Sequence, residues 1–343
     1  MKRFLGAYAF ALSTAAVLPV AVLPAAAHAE EVVVGYQQIV GPFLSAIADG
    51  RFDAALKDAG YEVEWRQFTS GGDISTALAS GDVPVGVIGS TGIAAATTRG
   101  VDLQLFWILD DIGHSEQLVA RDGTGIAKPA DLVGKTVGVP FVSTSHFHLL
   151  VGLEKVWGID PSEVNILNMQ PPQIVAAWQR GDIDAAYVWP PALSELLKSG
   201  KPISDSAEIG AASVPTFDGL VVETSFAEDN PAFMAAFTKV LAEAYQDYAT
   251  TGASWTAASP QVQGIVKMIG GTPEDALGAL KLLGYPTLDE QTSEKWLGGG
   301  ANGGAVKAIA TSASFLKDQR QLDSLLDDYA PVVNAGPATQ LTN

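Results

Sequence analysis

The 343-residue chain contains no cysteine. That absence excludes disulfide staples, a thiolate nucleophile, thiolate metal sites and the lipid-modified cysteine of anchored export products. Basic residues are scarce, with 20 Lys and Arg against 38 Asp and Glu and a formal charge of -18. Nucleic acid and anionic membrane surfaces are poor partners for such a field, whose ordinary meaning is solubility. Any anionic group on a ligand must then be held by local dipoles, since the overall field opposes it. Histidine is also sparse. Beyond residue 29 only His114, His146 and His148 remain, and the His146-x-His148 spacing does not put both rings on one helix face, which argues against a metal site. No Gly-rich phosphate loop is present, and no segment after residue 29 runs far enough without charge to span a bilayer.

The first 29 residues have the three-part form of a secretory signal: Lys2 and Arg3, an apolar stretch from Phe4 to Leu23, and a small-residue cleavage site at Ala27-His28-Ala29. The alternative is a membrane anchor, because the stretch approaches the roughly 20 residues that cross a bilayer; Pro19 and Pro24 interrupt it. The mature chain is expected to begin near Glu30, free in the periplasm or outside the cell. Loss of Lys2 and Arg3 moves its formal charge from -18 to -20. A chain this long can bury one core or two without disulfides.

Apolar, β-branched runs alternate with helical patterns, the signature of an α/β chain with largely parallel strands. The expected strands are 31–36, 62–68, 83–88, 103–109, 136–140, 165–168 and 185–189. Helical spacing is carried by Ile74-Ala77-Leu78 and by Leu149, Leu150, Leu153, Val156 and Trp157. An internal repeat stands out: Ala77-Leu78-Ala79-Ser80-Gly81-Asp82-Val83 recurs as Ala177-Trp178-Gln179-Arg180-Gly181-Asp182-Ile183. Each copy reads as a helix stopped by glycine, a turn and a buried strand. Val32–Tyr36 and Thr136–Pro140 form a second matching pair, which points to duplication of a lobe. Ser115–Arg121 and Phe217–Glu223 are then the hinge strands between two lobes, residues 30–117 with 218–343 and residues 118–217. The later alanine-rich helices are expected to pack on the first lobe, Gly298–Gly304 to form a flexible loop, and Pro331–Asn343 a weakly tied tail.

Ligands of open parallel sheets sit beyond the carboxyl ends of the strands. That nominates Gln37 and its neighbours, Ser70 and Gly71, Ser90 and Thr91, Ser143, Thr144, Ser145 and His146, and Trp189. Each hydroxyl alone reads as a helix cap, with Ser70-x-x-Asp73 resembling a capping box. Together, converging helix N-termini suit an oxyanion without requiring arginine. Glu116 and Asp218, one on each hinge strand, are costly unless a cation pairs with them; either an internal salt bridge or a cationic ligand group would serve. Trp189 could lie against such a cation or simply pack in the core.

With those residues in hand, the chain resembles the substrate-binding family of ABC importers that takes taurine, alkanesulfonates, nitrate and thiamine precursors. The resemblance runs from about Val32 to Phe237. It is carried by Ser70-Gly71, Ser115-Glu116, Val139-Pro140-Phe141-x-Ser143-Thr144, Gln170-Pro171-Pro172, Ala176–Asp184, Ala186-Tyr187-Val188-Trp189 and Pro215-Thr216-x-Asp218. It implies a periplasmic-binding-protein-like fold, two lobes joined by two hinge strands with the ligand in the cleft. It also implies capture of taurine, no cofactor or metal, no enzymatic step, and delivery to an ABC permease with its ATPase by a monomer. Within it, Glu116 and Asp218 are the ammonium partners, Ser70, Gly71, Ser90, Thr144, Ser145 and His146 the sulfonate pocket, and Trp189 a wall. Hypotaurine, simple alkanesulfonates and a sensory, ligand-presenting role are the alternatives. The same fold serves pyrimidine-forming enzymes, but their cysteine-bearing signature cannot exist here. Two departures leave the exact ligand open: the apolar Gln38-Ile39-Val40-Gly41 loop, and Asp110-Asp111, which adds acid near Glu116.

Overall fold

The computed structural model describes residues 29–342; the leader expected over residues 1–28 lies outside them. Ten strands form two five-stranded sheets. The first contains β1 (Glu30–Gln37), β2 (Tyr61–Phe68), β3 (Val85–Gly89), β4 (Leu103–Asp111) and β10 (Phe217–Glu223) in the order β2-β1-β3-β10-β4. The second contains β5 (Gln117–Arg121), β6 (Thr136–Val139), β7 (Asn165–Asn168), β8 (Ala185–Val188) and β9 (Gly200–Asp205) in the order β7-β6-β8-β5-β9. The two orders are the same pattern. In each, three parallel strands are followed by the strand that arrives from the other lobe, antiparallel to both its neighbours.

The repeat seen in sequence occupies equivalent places in the two sheets. Gly81 (φ +76°) and Gly181 (φ +80°) each end a helix in the left-handed region that a side chain disfavours. The amides of Asp82 and Asp182 then return to the carbonyls of Ala77 and Ala177 at 3.1 and 2.9 Å. The strands that follow are buried on both faces, as parallel strands covered by helices must be.

The α-helix over Thr144–Val151 passes into a π-turn over Gly152–Val156. Leu149 and Leu153 stay buried, but the altered pitch turns Val156 outward. The Pro231–Thr251 helix brings Phe233, Phe237 and Leu241 into the core of the first lobe. Apart from Gly300, the glycines of 298–304 are closely fitted rather than loose: a Cβ on Gly298 would stand 2.0 Å from the Thr292 carbonyl oxygen, and one on Gly304 2.0 Å from that of Lys295. The tail is tied down as well. The Asn334 amide donates to the Leu105 carbonyl at 2.8 Å, and Val332 and Ala338 are buried in the first core. Among the described residues no helix is long and apolar enough to cross a membrane.

Candidate functional site

The carboxyl ends of the parallel strands of both sheets face one cleft. Gln37, Ser70, Gly71, Glu116, Thr144, Trp189 and Asp218 all line it. Ser90, Thr91, Ser145 and His146 stand one layer behind the lining, all buried.

The neutral side of the cleft is built from helix starts. Ser70 precedes the Gly71–Ala79 helix without capping it; its hydroxyl donates to the Asp73 carboxylate at 3.2 Å, so the expected capping box does not form. Gly89 precedes the Ser90–Thr98 helix, again with no side-chain cap. Gly71, Gly72, Gly89 and Gly92 line the cleft, so backbone is presented where side chains would otherwise stand. First-turn N–H groups have no acceptor within their own helix, which leaves these two termini able to receive an anion. The third terminus belongs to the Thr144–Val151 helix, where Ser143 is the cap, accepting the His146 amide at 3.1 Å. The Gln37 side-chain amide donates to the Val87 carbonyl at 2.8 Å, which fixes it at the base of the cleft.

His146 acts on the loop rather than on the cavity. Its Nδ1 accepts the Val142 amide at 3.3 Å, and its ring stacks on Phe141 with centroids 4.4 Å apart. Burial pushes its pKa down to about 4, so the ring is neutral at neutral pH. It holds Val142, whose φ of +63° is unusual for a β-branched residue, against the cleft.

The opposite side is acidic. Thr144 Oγ1 donates to Glu116 Oε1 at 2.5 Å and Ser206 Oγ to Glu116 Oε2 at 3.1 Å, while Tyr187 and Ser206 share a hydrogen bond of 3.0 Å. Thr144 therefore serves the carboxylate, not the helix terminus. The Ser145 hydroxyl stands near enough to Glu116 to lower its pKa, yet makes no hydrogen bond of acceptable geometry. Burial nevertheless raises Glu116 to about 7, against the relief those hydroxyls give and with help from Asp218. Burial raises Asp218 to about 7 as well. Asp110, opposite Asp218 in the β4–β10 ladder, is pushed well above the carboxylate range by burial and by the neighbouring acids.

Asp110 owes its placement to a β-bulge. The ladder skips Leu109, and Gln291 fills the irregularity by accepting the Ile108 amide at 3.0 Å and donating to the Ile108 carbonyl at 2.6 Å. Tyr245 takes up the Leu109 carbonyl at 2.6 Å. None of the three acids forms an ion pair with Lys, Arg or His among the described residues. The internal salt bridge that could have explained Glu116 and Asp218 is therefore not formed.

Ser143, nominated from its strand end, lines the cleft beside residues that were not assigned to the site in advance. Phe141 and Val142 line it from the second lobe and Ile39 and Ile88 from the first; Phe141 could have been found from its place directly after the Val139-Pro140 strand end. Ser206 reaches Glu116 from far along the chain and leaves no local pattern.

A family model described as NMT1/THI5 like matches residues 38–251. The taurine-binding periplasmic protein of Escherichia coli strain K12 is 41% identical over 309 residues, spanning 90% of this chain and 93% of that one. Among solved structures, the periplasmic aliphatic sulphonate binding protein of Escherichia coli superposes with a TM-score of 0.70 at 19% identity, covering 91% of this chain and 99% of that one. A desulfurization enzyme superposes with a TM-score of 0.60 at 15% identity, covering 92% and 99%. At those identities the likeness is one of fold, which binding proteins and an enzyme share. The match over the chain's central residues and the close relative across nine-tenths of both lengths together make this protein a member of the NMT1/THI5-like family.

Proposed function

We propose that the protein captures taurine in the periplasm, after removal of its leader, and hands it to the permease and ATPase of an ABC importer. The sulfonate docks on the helix starts at Gly71 and Ser90, and the ammonium lies between Glu116 and Asp218 with Trp189 as a wall. Residues 30–117 with 218–343 move as one lobe and 118–217 as the other, closing over the ligand by hinge motion. No covalent step is involved.

The observation that carries this reading is the set of buried acids without a basic partner, facing helix termini without caps. A buried carboxylate is stabilised by a cation, and the described residues supply none at the site. The relative named for taurine binding, whose ligand carries an amine and a sulfonate, supports the choice over a plain alkanesulfonate. A ligand lacking the amine forgoes this pairing and leaves Glu116 and Asp218 as partly protonated acids with no cation to favour their charged forms.

Titration calorimetry of residues 30–343 with taurine, hypotaurine, an alkanesulfonate and nitrate tests this. Taurine should bind at least about a hundredfold more tightly than the alkanesulfonate or nitrate. Asp218→Ala should erase that preference; an unchanged ranking of ligands would remove the ammonium from this pole.

A further inference from the structure

Beyond Glu116 and Asp218 the cleft does not end. A second, smaller chamber shares Ile39, Glu116, Trp189 and Asp218 with the first and continues to Asp110, Ile112 and Leu283. Asp110 is 1% exposed, lines this chamber, and its Oδ1 is buried without a hydrogen-bond partner. An ammonium held between Glu116 and Asp218 has three donors and no reach beyond them, so it leaves that oxygen unanswered. A guanidinium carries five N–H donors in a flat fork and extends further along the same axis. Its faces are apolar enough to lie against Trp189 and Ile112, and cations favour the face of an indole. The chain provides no arginine or lysine that fills this role among the described residues.

We propose that the amine pole opens into this chamber and that the protein also binds sulfonates whose nitrogen bears a guanidinium, guanidinoethanesulfonate being the simplest. Asp110 is then the residue that sets how large a cationic group is admitted. The proposal rests on the taurine reading for its anion pole and adds a specificity determinant to it.

The test uses calorimetry with taurine and guanidinoethanesulfonate as separate titrants on the full mature chain. The unmodified protein should bind the guanidino compound within about tenfold of taurine. Leu283→Phe, which narrows only the second chamber, should keep taurine binding and weaken the guanidino compound by more than about tenfold. Asp110→Asn should weaken the guanidino compound more than taurine. Normal taurine binding with no guanidino binding would overturn the chamber and leave the taurine reading standing. Guanidino binding that neither substitution weakens relative to taurine would overturn it too, by placing the group elsewhere. Failure of both ligands to bind would overturn both readings.

Discussion

The two lobes begin alike and end differently. In the first, β3 runs out into Gly89-Ser90-Thr91 and straight into a helix; in the second, 100 positions on, β8 runs out into Trp189-Pro190-Pro191, and no helix begins before Ala192. The first ending offers backbone donors with no side chain in the way. The second offers an aromatic face and two residues that have no N–H to give. The shared frame fixes where a strand stops, and the residues just past the stop decide what the lobe can hold. The acids come from neither copy: Glu116 stands just before the strand that enters the second sheet, and Asp218 lies on the strand that re-enters the first.

Putting a side chain where the first lobe has none should have the largest effect. A Cβ at Gly89 would stand 3.0 Å from Thr144 Cγ2 and 3.2 Å from Asp218 Oδ1, so Gly89→Val should wedge the lobes apart and weaken taurine binding more than about a hundredfold. The backbone there is ordinary for any residue, φ −68°. The melting temperature should thus shift by no more than about 3 °C; a large drop in Tm would instead make Gly89 a structural requirement of the fold.

Proton release distinguishes the acidic pole from the neutral one. Glu116 and Asp218, both raised to about 7, are partly protonated in the free protein at neutral pH, and a bound ammonium favours their charged forms. Taurine affinity should fall by about ten- to a hundredfold from pH 8 to pH 6. Heats measured in buffers of different ionisation enthalpy should reveal protons expelled on binding, and a pH-independent affinity would contradict the pairing. The same shifts have a second sign. The folded state holds extra protons between the ordinary values, 3.8 and 4.5, and about 7. These groups' contribution to stability is therefore whole below about pH 4 and lost as pH rises through 7, so ligand-free protein should melt at a lower temperature at pH 8 than at pH 5.

The smallest expected effect probes the shared frame itself. Gly81→Ala and Gly181→Ala each force a side chain into left-handed backbone and should each cost about 1 kcal/mol in chemical denaturation, with taurine affinity unchanged. A cost in one copy alone would mean that the two turns are not equivalent.

The doubled frame was legible because buried parallel strands are continuous apolar runs, and β7 falls on its expected bounds. β9 was not expected, since Gly-Lys-Pro-Ile-Ser-Asp is a sheet-edge segment with one neighbour, no alternation and a proline. The glycine run at 298–304 looked loose because composition cannot distinguish a glycine needed for freedom from one needed for close approach. In the cleft, hydroxyls and acids could be named from strand ends and from carboxylates in apolar surroundings. Their division of labour could not: Thr144 turning to Glu116, His146 turning to Val142 and Gln291 filling the bulge behind Asp110 all depend on contacts between distant segments.

The helix over Gly304–Asp318 sets out from the closely fitted glycine loop and packs along the Ser90–Thr98 helix of the first lobe. At its far end Phe315 meets Phe147 edge to face at 5.3 Å, and just beyond it Gln319 donates to Glu154 at 2.7 Å, both partners lying in the second lobe. Parting the lobes has to strain or release this strut, whose residues do not line the cleft. Under the proposed hinge closure, the balance between parted and shut forms is weighted by a contact outside the binding chemistry, and substitutions there should reset affinity for every ligand alike without altering which one is preferred.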